Sequence, residues 1–255
     1  MSYFQFSSVS NADYTVSKEH YHDNLEIYML LEGRCWYFID NKSYLLSSGD
    51  IVIIPQGVIH KVNYETPTHS RILINCDASF VPEAVWEVLG EVPCFPKTDR
   101  TDDKIRKIFA VIEKENKKTD EFWRDIIKTK IAELLILIVR ESRETAPIVT
   151  QSVIVEKAVE YIQKNHQGKL SLEDAAKYCF VSPAHLSRTF KKETGFGFCE
   201  YLNIYRLKKA DMLLSDGKKH KISEISELCG FEDSNYFSKM YKQMYGISPK
   251  KRMQI

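Results

Sequence analysis

The sequence predicts an α+β protein of two domains: a β-barrel or sandwich followed by helices, then an all-α domain with two helix-turn-helix units. Three observations lead there. Between Leu25 and Cys76, short apolar runs alternate with turn residues at the spacing of a many-stranded β-domain. From Val153 onward the pattern is helical and repeats itself. The charge also divides: residues 1–150 hold 18 Lys and Arg against 23 Asp and Glu, and residues 151–255 hold 18 against 12. Net charges of −5 and +6 point to an anionic partner, nucleic acid or a charged surface, for the second part alone.

In chain order, Leu25–Leu31, Cys35–Ile39, Ile51–Ile54 and Arg71–Cys76 are rich in Ile, Tyr, Trp, Phe and Leu and read as strands. Glu32-Gly33, Asp40-Asn41, Ser48-Gly49-Asp50 and Pro55-Gln56-Gly57 supply turns between them. After Pro82 the spacing becomes helical, with Ile105, Ile108, Phe109 and Ile112 on one face. Phe122 to Arg143 reads as a longer helix with a stripe of Ile127, Ile131, Leu134, Leu135 and Ile138. Its other side carries Ile136, Leu137 and Val139, so it needs two neighbours; the β-domain and a second copy of the chain are equal candidates. Glu144-Thr145-Ala146-Pro147 then reads as a linker. The expected divisions are 1–80 for the barrel, 81–145 for a helical region that links domains or pairs subunits, and 146–255 for the last domain.

Composition excludes several classes. At 44% hydrophobic and 28% charged the chain is globular in type. Its longest apolar stretch, around Leu134 to Val139, is far short of the roughly 20 residues of a membrane span. No basic and apolar leader opens the sequence, and the six cysteines form no C-x-x-C pair; both fit a cytoplasmic protein with reduced thiols.

The repeat is chemical as well as periodic. Leu186-Ser187-Arg188-Thr189-Phe190-Lys191 corresponds to Phe237-Ser238-Lys239-Met240-Tyr241-Lys242 at an offset of 51. Upstream, Leu172, Ala176 and Cys179 correspond to Ile222, Ser226 and Cys229 at an offset of 50, so one residue is inserted in the second turn. Ser171-Leu172-Glu173-Asp174 has the form of a capping box, Ser182-Pro183 starts a second helix, and Gly195 stands where that helix would end. Two helix-turn-helix units result, at about 170–195 and 221–246, with Phe198–Leu214 as the helix between them. On the second helix of the first unit, Ala184, Ser187, Arg188 and Lys191 share a face opposite Leu186 and Phe190; the repeat maps them onto Asn235, Ser238, Lys239 and Lys242. Small or hydrogen-bonding groups followed by cations are what a major-groove helix presents to base edges and phosphates. A solvated helix face would look similar once; its recurrence in the basic part favours DNA. The turns differ, with Phe180 in the first where the second has Gly230.

The region of about 100 residues containing these units resembles the DNA-binding domain of the arabinose-regulator (AraC) family of bacterial transcription factors, most specifically over Phe231 to Pro249. The resemblance implies that both second helices enter successive major-groove segments on one DNA face, roughly one helical turn apart. It puts base contacts on Ala184, Ser187, Arg188, Ser234, Asn235 and Lys239, and phosphate contacts on Lys191, Lys192 and Lys242. Ser238 joins the base-facing set through the repeat.

Two further spacings lie in the β-segment: His20-x-His22-x3-Glu26-x6-Gly33 and Gly49-x5-Pro55-x-Gly57-x2-His60-x2-Asn63. They resemble the two motifs of the cupin barrel, the second departing where Asn63 follows after two residues instead of three. In cupins the corresponding side chains converge on a divalent metal, and three imidazoles with one carboxylate suit Zn, Fe, Mn or Ni. His20, His22, Glu26 and His60 are thus candidate metal ligands, candidate effector-binding groups, or remnants of the fold. Tyr28, Trp36 and Phe38 are further candidates to line an effector site, with alternation placing Trp36 and Phe38 on one side of their strand and Tyr37 on the other.

The favoured reading is a cytoplasmic bacterial regulator that binds promoter DNA, works as a homodimer with RNA polymerase, and senses a sugar or related metabolite in a cupin-like barrel. It requires no cofactor beyond, at most, a divalent transition metal in the barrel. A metal-dependent cupin enzyme fused to a DNA-binding domain is the alternative from another class, and a constitutive DNA binder is a third reading.

Overall fold

The computed structural model describes residues 3–13, 24–89, 94–95, 102–142, 152–216 and 220–254. The chain divides into two compact units, Met1–Thr150 and Gln151–Ile255.

The first unit holds two antiparallel sheets. One has five strands in the order β1 (Phe4–Asp13), β7 (Thr68–Cys76), β2 (Leu25–Glu32), β5 (Ile51–Ile54), β8 (Cys94–Phe95). The other has the order β4 (Lys42–Ser47), β3 (Arg34–Ile39), β6 (His60–Tyr64). The expected strands are present, and β1, β4, β6 and β8 are added to them. Asp40 and Asn41 join β3 to β4 with φ of 40° and 74°, the left-handed pair that a two-residue hairpin needs. Lys42-Ser43 and Ser47 make β4 too polar to stand out in sequence, yet its Tyr44 and Leu46 are buried.

The five-stranded sheet is covered on both sides. Leu25, Ile27, Met29, Ile51, Ile53, Ile74 and Cys76 pack against helices; Tyr28, Leu30, Val52 and Ile54 face the second sheet, together with Cys35, Tyr37, Ile39, Tyr44 and Leu46. The covering helices are α1 (Glu83–Leu89), α2 (Asp102–Glu115) and α3 (Trp123–Ser142). All five residues of the α3 stripe are buried in this layer, and Val139 joins them. Leu137 is half-buried, while Ile136 remains exposed. One chain therefore satisfies most of the second apolar side that the sequence left unassigned.

The second unit is helical: α4 (Val153–Asn165), α5 (Leu172–Tyr178), α6 (Pro183–Thr194), α7 (Phe198–Leu214), α8 (Ile222–Leu228), α9 (Ser234–Tyr245) and α10 (Pro249–Arg252). The expected starts and stops are in place. The Ser171 hydroxyl accepts from the Asp174 N–H at 3.1 Å and donates to its carboxylate at 2.6 Å. Ser182 caps α6 with Pro183 in the first turn, and Gly195 closes it at φ 75°. Asp233 caps α9, accepting from the Asn235 and Tyr236 N–H groups, and Gly246 closes it at φ 74°. The two turns start alike: Val181 N–H reaches the Ala176 carbonyl at 3.0 Å, and Phe231 N–H reaches Ser226 at the same distance. The inserted residue therefore falls after Phe231, in the approach to α9.

Within the second unit, Arg206 of α7 ties the segment after α4 to the turn before α9. Its Nε donates to the His166 carbonyl at 2.7 Å, its Nη2 to the Gly168 carbonyl at 2.8 Å, and its guanidinium lies 5.8 Å from the Phe231 ring centroid. Asp211, also on α7, accepts from the Tyr241 hydroxyl and from Arg252 Nε at 2.9 Å, tying α9 and α10 to the same helix.

Candidate functional site

Alternation along the strands decides what faces the space between the two sheets. Glu26, Tyr28 and Leu30 of β2 point there, as do His69, Arg71 and Leu73 of β7. From the second sheet come Tyr37 of β3 and His60, Val62 and Tyr64 of β6. All of these but Leu30, together with Lys61 of β6, line a cavity of about 120 Å³. Trp36 and Phe38 are on the opposite face of β3, and Trp36 Nε1 donates instead to Glu65 at 2.7 Å. The expectation that they line the cavity is therefore corrected: Tyr37, between them, is the inward aromatic.

The cavity is polar at two ends. At one, Glu26 is 4% exposed and its Oε1 accepts from the Tyr37 hydroxyl at 2.5 Å. His60 Nδ1 lies 2.8 Å from the Val58 carbonyl, which fixes it as the donor, and Nε2 then faces Glu26 Oε2 at 3.7 Å. At the other, Arg71 lies beside the Tyr64 hydroxyl, and the Tyr64 ring stacks on His69 with centroids 3.6 Å apart. Tyr28 bridges, its hydroxyl donating to Tyr64 at 3.2 Å. Burial pushes the Tyr28 and Tyr37 hydroxyls well above their ordinary range, and Tyr64 to about 12, so all three are neutral donors. Burial, then the nearby Arg71 charge, lowers the His69 pKa.

Of the four candidate metal ligands, Glu26 and His60 face each other in this cavity. His20 and His22 lie outside the described residues. Among the described residues no three His, Cys, Asp or Glu side chains converge. Two donors do not hold a metal by themselves, so no chemistry is routed through one here. Sequence reasoning missed Tyr37, Tyr64, His69 and Arg71. The signal available was the period-two run His69-x-Arg71-x-Leu73, polar groups on one face of a strand otherwise rich in apolar residues.

In the second unit, α6 buries Leu186 and Phe190 and leaves Ala184, Ser187, Arg188, Lys191 and Lys192 exposed. Helix α9 buries Phe237 and Tyr241 and exposes Asn235, Lys239 and Lys242. Ser234 and Ser238 are half-buried, and the Ser238 hydroxyl donates to the Ser234 carbonyl at 2.9 Å. Its proton is engaged within the helix, leaving its lone pairs to accept. The one carboxylate near the end of α6, Glu193, is buried and accepts from the Ser152 N–H at 2.9 Å, so it adds no exposed negative charge to this face. Among the described residues Arg188, Lys191, Lys239 and Lys242 form no ion pair. Both helices thus carry uncompensated cations beyond a small, polar leading turn. No helix among the described residues is long and apolar enough to cross a membrane.

Comparison with known proteins agrees with both halves of this description. Residues 6–130 match the AraC-like ligand-binding domain, and residues 175–254 match a helix-turn-helix domain family. The HTH-type transcriptional activator RhaR of Yersinia pestis is 26% identical over 245 residues, covering 91% of this chain and 83% of its own. The C-terminal domain of AraT, a response regulator from Geobacillus stearothermophilus, is 38% identical over 41% of this chain and 87% of that domain, with a TM-score of 0.39. ToxT from Vibrio cholerae is 16% identical over 98% of this chain and 97% of its own, with a TM-score of 0.42. The chain belongs to the AraC family of DNA-binding transcription regulators, with a ligand-binding domain preceding the helix-turn-helix domain.

Proposed function

We propose that α6 and α9 read promoter DNA, and that a sugar or related hydroxylated metabolite in the barrel cavity shifts the affinity for it. The observation that carries the DNA reading is the recurrence, on two helices 51 residues apart, of one exposed face with small or hydrogen-bonding groups first and cations after. Arg188 is the guanine reader by chemistry, its fork matching O6 and N7. Ala184 offers contact to a thymine methyl, and Asn235 suits adenine. Lys191, Lys192 and Lys242 meet phosphates.

The polar lining of the cavity supports a hydroxylated ligand. Coupling requires that the ligand favour one of two states that DNA also distinguishes. The relatives named transcriptional activators support an activator with a non-catalytic barrel; the same proposal has the chain act as a cytoplasmic homodimer with RNA polymerase and need no cofactor. Metal analysis of the purified chain tests the last point: stoichiometric Zn, Fe, Mn or Ni would make Glu26 and His60 part of a metal site.

The test of the whole reading is selection of duplexes from a randomised library by the purified chain, then anisotropy of the enriched duplexes against scrambled ones at several salt concentrations. Specific binding tighter than scrambled by at least about 10³-fold is the expected result for a regulator. Equal affinity for both would refute sequence-specific regulation.

A further inference from the structure

We propose that the barrel takes a small hydroxy acid, with its carboxylate held by Arg71 and His69; this rests on the sensor reading above and names the ligand class. Arg71 Nη1 and His69 Nδ1 are buried, and among the described residues neither has a hydrogen-bond partner. Both face the same cavity from alternate positions of β7. A buried guanidinium N–H left without an acceptor forfeits its hydration with nothing in return. An occupant that supplies oxygen acceptors and a negative charge removes that deficit, and a carboxylate matches the planar donor fork.

The remainder of the lining sets the rest of the ligand. Arg71 pairs with Leu30 across the sheet, and Glu26 is four residues further along β2, about 13 Å at strand rise. Arg71 and Glu26 thus stand at opposite ends, with three tyrosine hydroxyls between them. Hydroxyls on the ligand suit that stretch, since they can both donate to Glu26 and accept from tyrosine. The formal charges of Arg71, Lys61 and Glu26 in the lining sum to +1, which a single carboxylate neutralises. At about 120 Å³ the cavity is slightly smaller than the roughly 150 Å³ void that admits benzene, so a short acid fits inside it and a longer one extends into the mouth.

The experiment is thermal unfolding and calorimetric binding of the full chain with matched pairs: D-glycerate and glycerol, D-gluconate and D-glucitol, D-galacturonate and D-galactose, with glycerol 3-phosphate as the phosphate probe. The expected result is that at least one acid binds ten-fold or more tighter than its neutral partner, and that Arg71→Met lowers the acid's affinity about 10- to 100-fold while leaving the neutral partner unchanged. Unfolding of ligand-free Arg71→Met, followed by tryptophan fluorescence, separates lost binding from lost folding, and Arg71→Lys gives partial retention. A neutral partner that binds as well as its acid would overturn the hydroxy-acid assignment and leave the sensor reading in place. So would tighter binding of the phosphate, or an acid whose affinity ignores Arg71. No binding by any acid would overturn it as well, while effector-dependent DNA binding tests the sensor reading separately.

Discussion

Replacing Gly230 by alanine should destabilise the DNA-binding unit by about 3–5 kcal/mol, although residue 230 touches no DNA-facing side chain. Gly230 sits at φ 85°, where an L-residue costs roughly 1–2 kcal/mol. A Cβ there would lie 2.3 Å from the His166 carbonyl oxygen and 2.9 Å from that of Gln167, against 3.4 Å for ordinary contact. Backbone must therefore move by about 1 Å. The group displaced is the acceptor of the 2.7 Å bond from Arg206 Nε. A hydrogen bond to a charged donor contributes about 1.5–3 kcal/mol, and the displacement loses much of it. Phe180, the equivalent of Gly230 in the first unit, provides the control. It also has positive φ, 59°, but it is 87% exposed. Phe180→Gly relieves the backbone cost and loses a contact with Lys157 at 5.6 Å, so its net effect should stay within about 1 kcal/mol. The assay separates the DNA-binding unit from the barrel unit, because all three tryptophans, Trp36, Trp86 and Trp123, lie in Met1–Thr150. Urea unfolding followed by helical circular dichroism should show the Gly230→Ala loss, while tryptophan fluorescence stays at the parent midpoint. A loss under about 1 kcal/mol, or equal effects at both positions, would refute the claim that the second turn is packed against the backbone at His166 and Gln167.

Other outcomes follow from the same geometry. Arg188→Ala should cost about 1–3 kcal/mol on the specific site and relax one base position, whereas Lys191→Ala should weaken all duplexes alike and reduce the salt slope by about 1; anisotropy titrations distinguish them. His69 is held below its ordinary pKa of 6.5, so the unfolded chain takes up the proton first as the pH falls. Its contribution to barrel stability is therefore full above pH 6.5 and declines below it toward the folded value, and His69→Gln should flatten that part of the pH–stability curve followed by tryptophan fluorescence. Among the described cysteines, Cys199 is exposed, while burial pushes Cys35 and Cys76 up to about 12 and Cys229 to about 11. Brief alkylation of the native chain with peptide mapping should find Cys199 modified first and these three protected until unfolding.

The DNA-binding unit was legible residue by residue because its signals are local. A cap, a proline and a closing glycine each act within one helical turn, and Ser182, Pro183 and Gly195 stand where they were read. The repeat added a second reading of each position, which is how the inserted residue showed. What stayed hidden was the reason for Gly230 against Phe180. That reason is long-range, the backbone at His166 and Gln167 packed over one turn and open space over the other. The missed strands have a different cause. Strand β1, with the sequence FQFSSVSNAD, is half polar and gains its place from pairing with β7 instead of from its own composition.

The barrel was harder because strands covered on both sides carry no parity signal. In β2 every position from Leu25 to Leu30 is buried, and in β3 every position from Cys35 to Ile39. Period two then states which residues share a face but not which face is the interior. Aromatic character makes Trp36 and Phe38 candidates for the interior without choosing their face. A chemical constraint resolves the choice. If Glu26 and His60 share the interior, β6 fixes β3 through register: His60 pairs with Ile39, so Ile39 and Tyr37 face inward with it. Tyr37 then meets Glu26, as its 2.5 Å hydrogen bond records. The same step carries inward parity across β2 to β7, where Tyr28 pairs with Leu73 and brings His69 and Arg71 to the cavity. The ionisable residues of a barrel with two buried faces therefore locate its interior better than its aromatic residues do. A buried charge needs a partner across the cavity, and a buried tryptophan packs on either side.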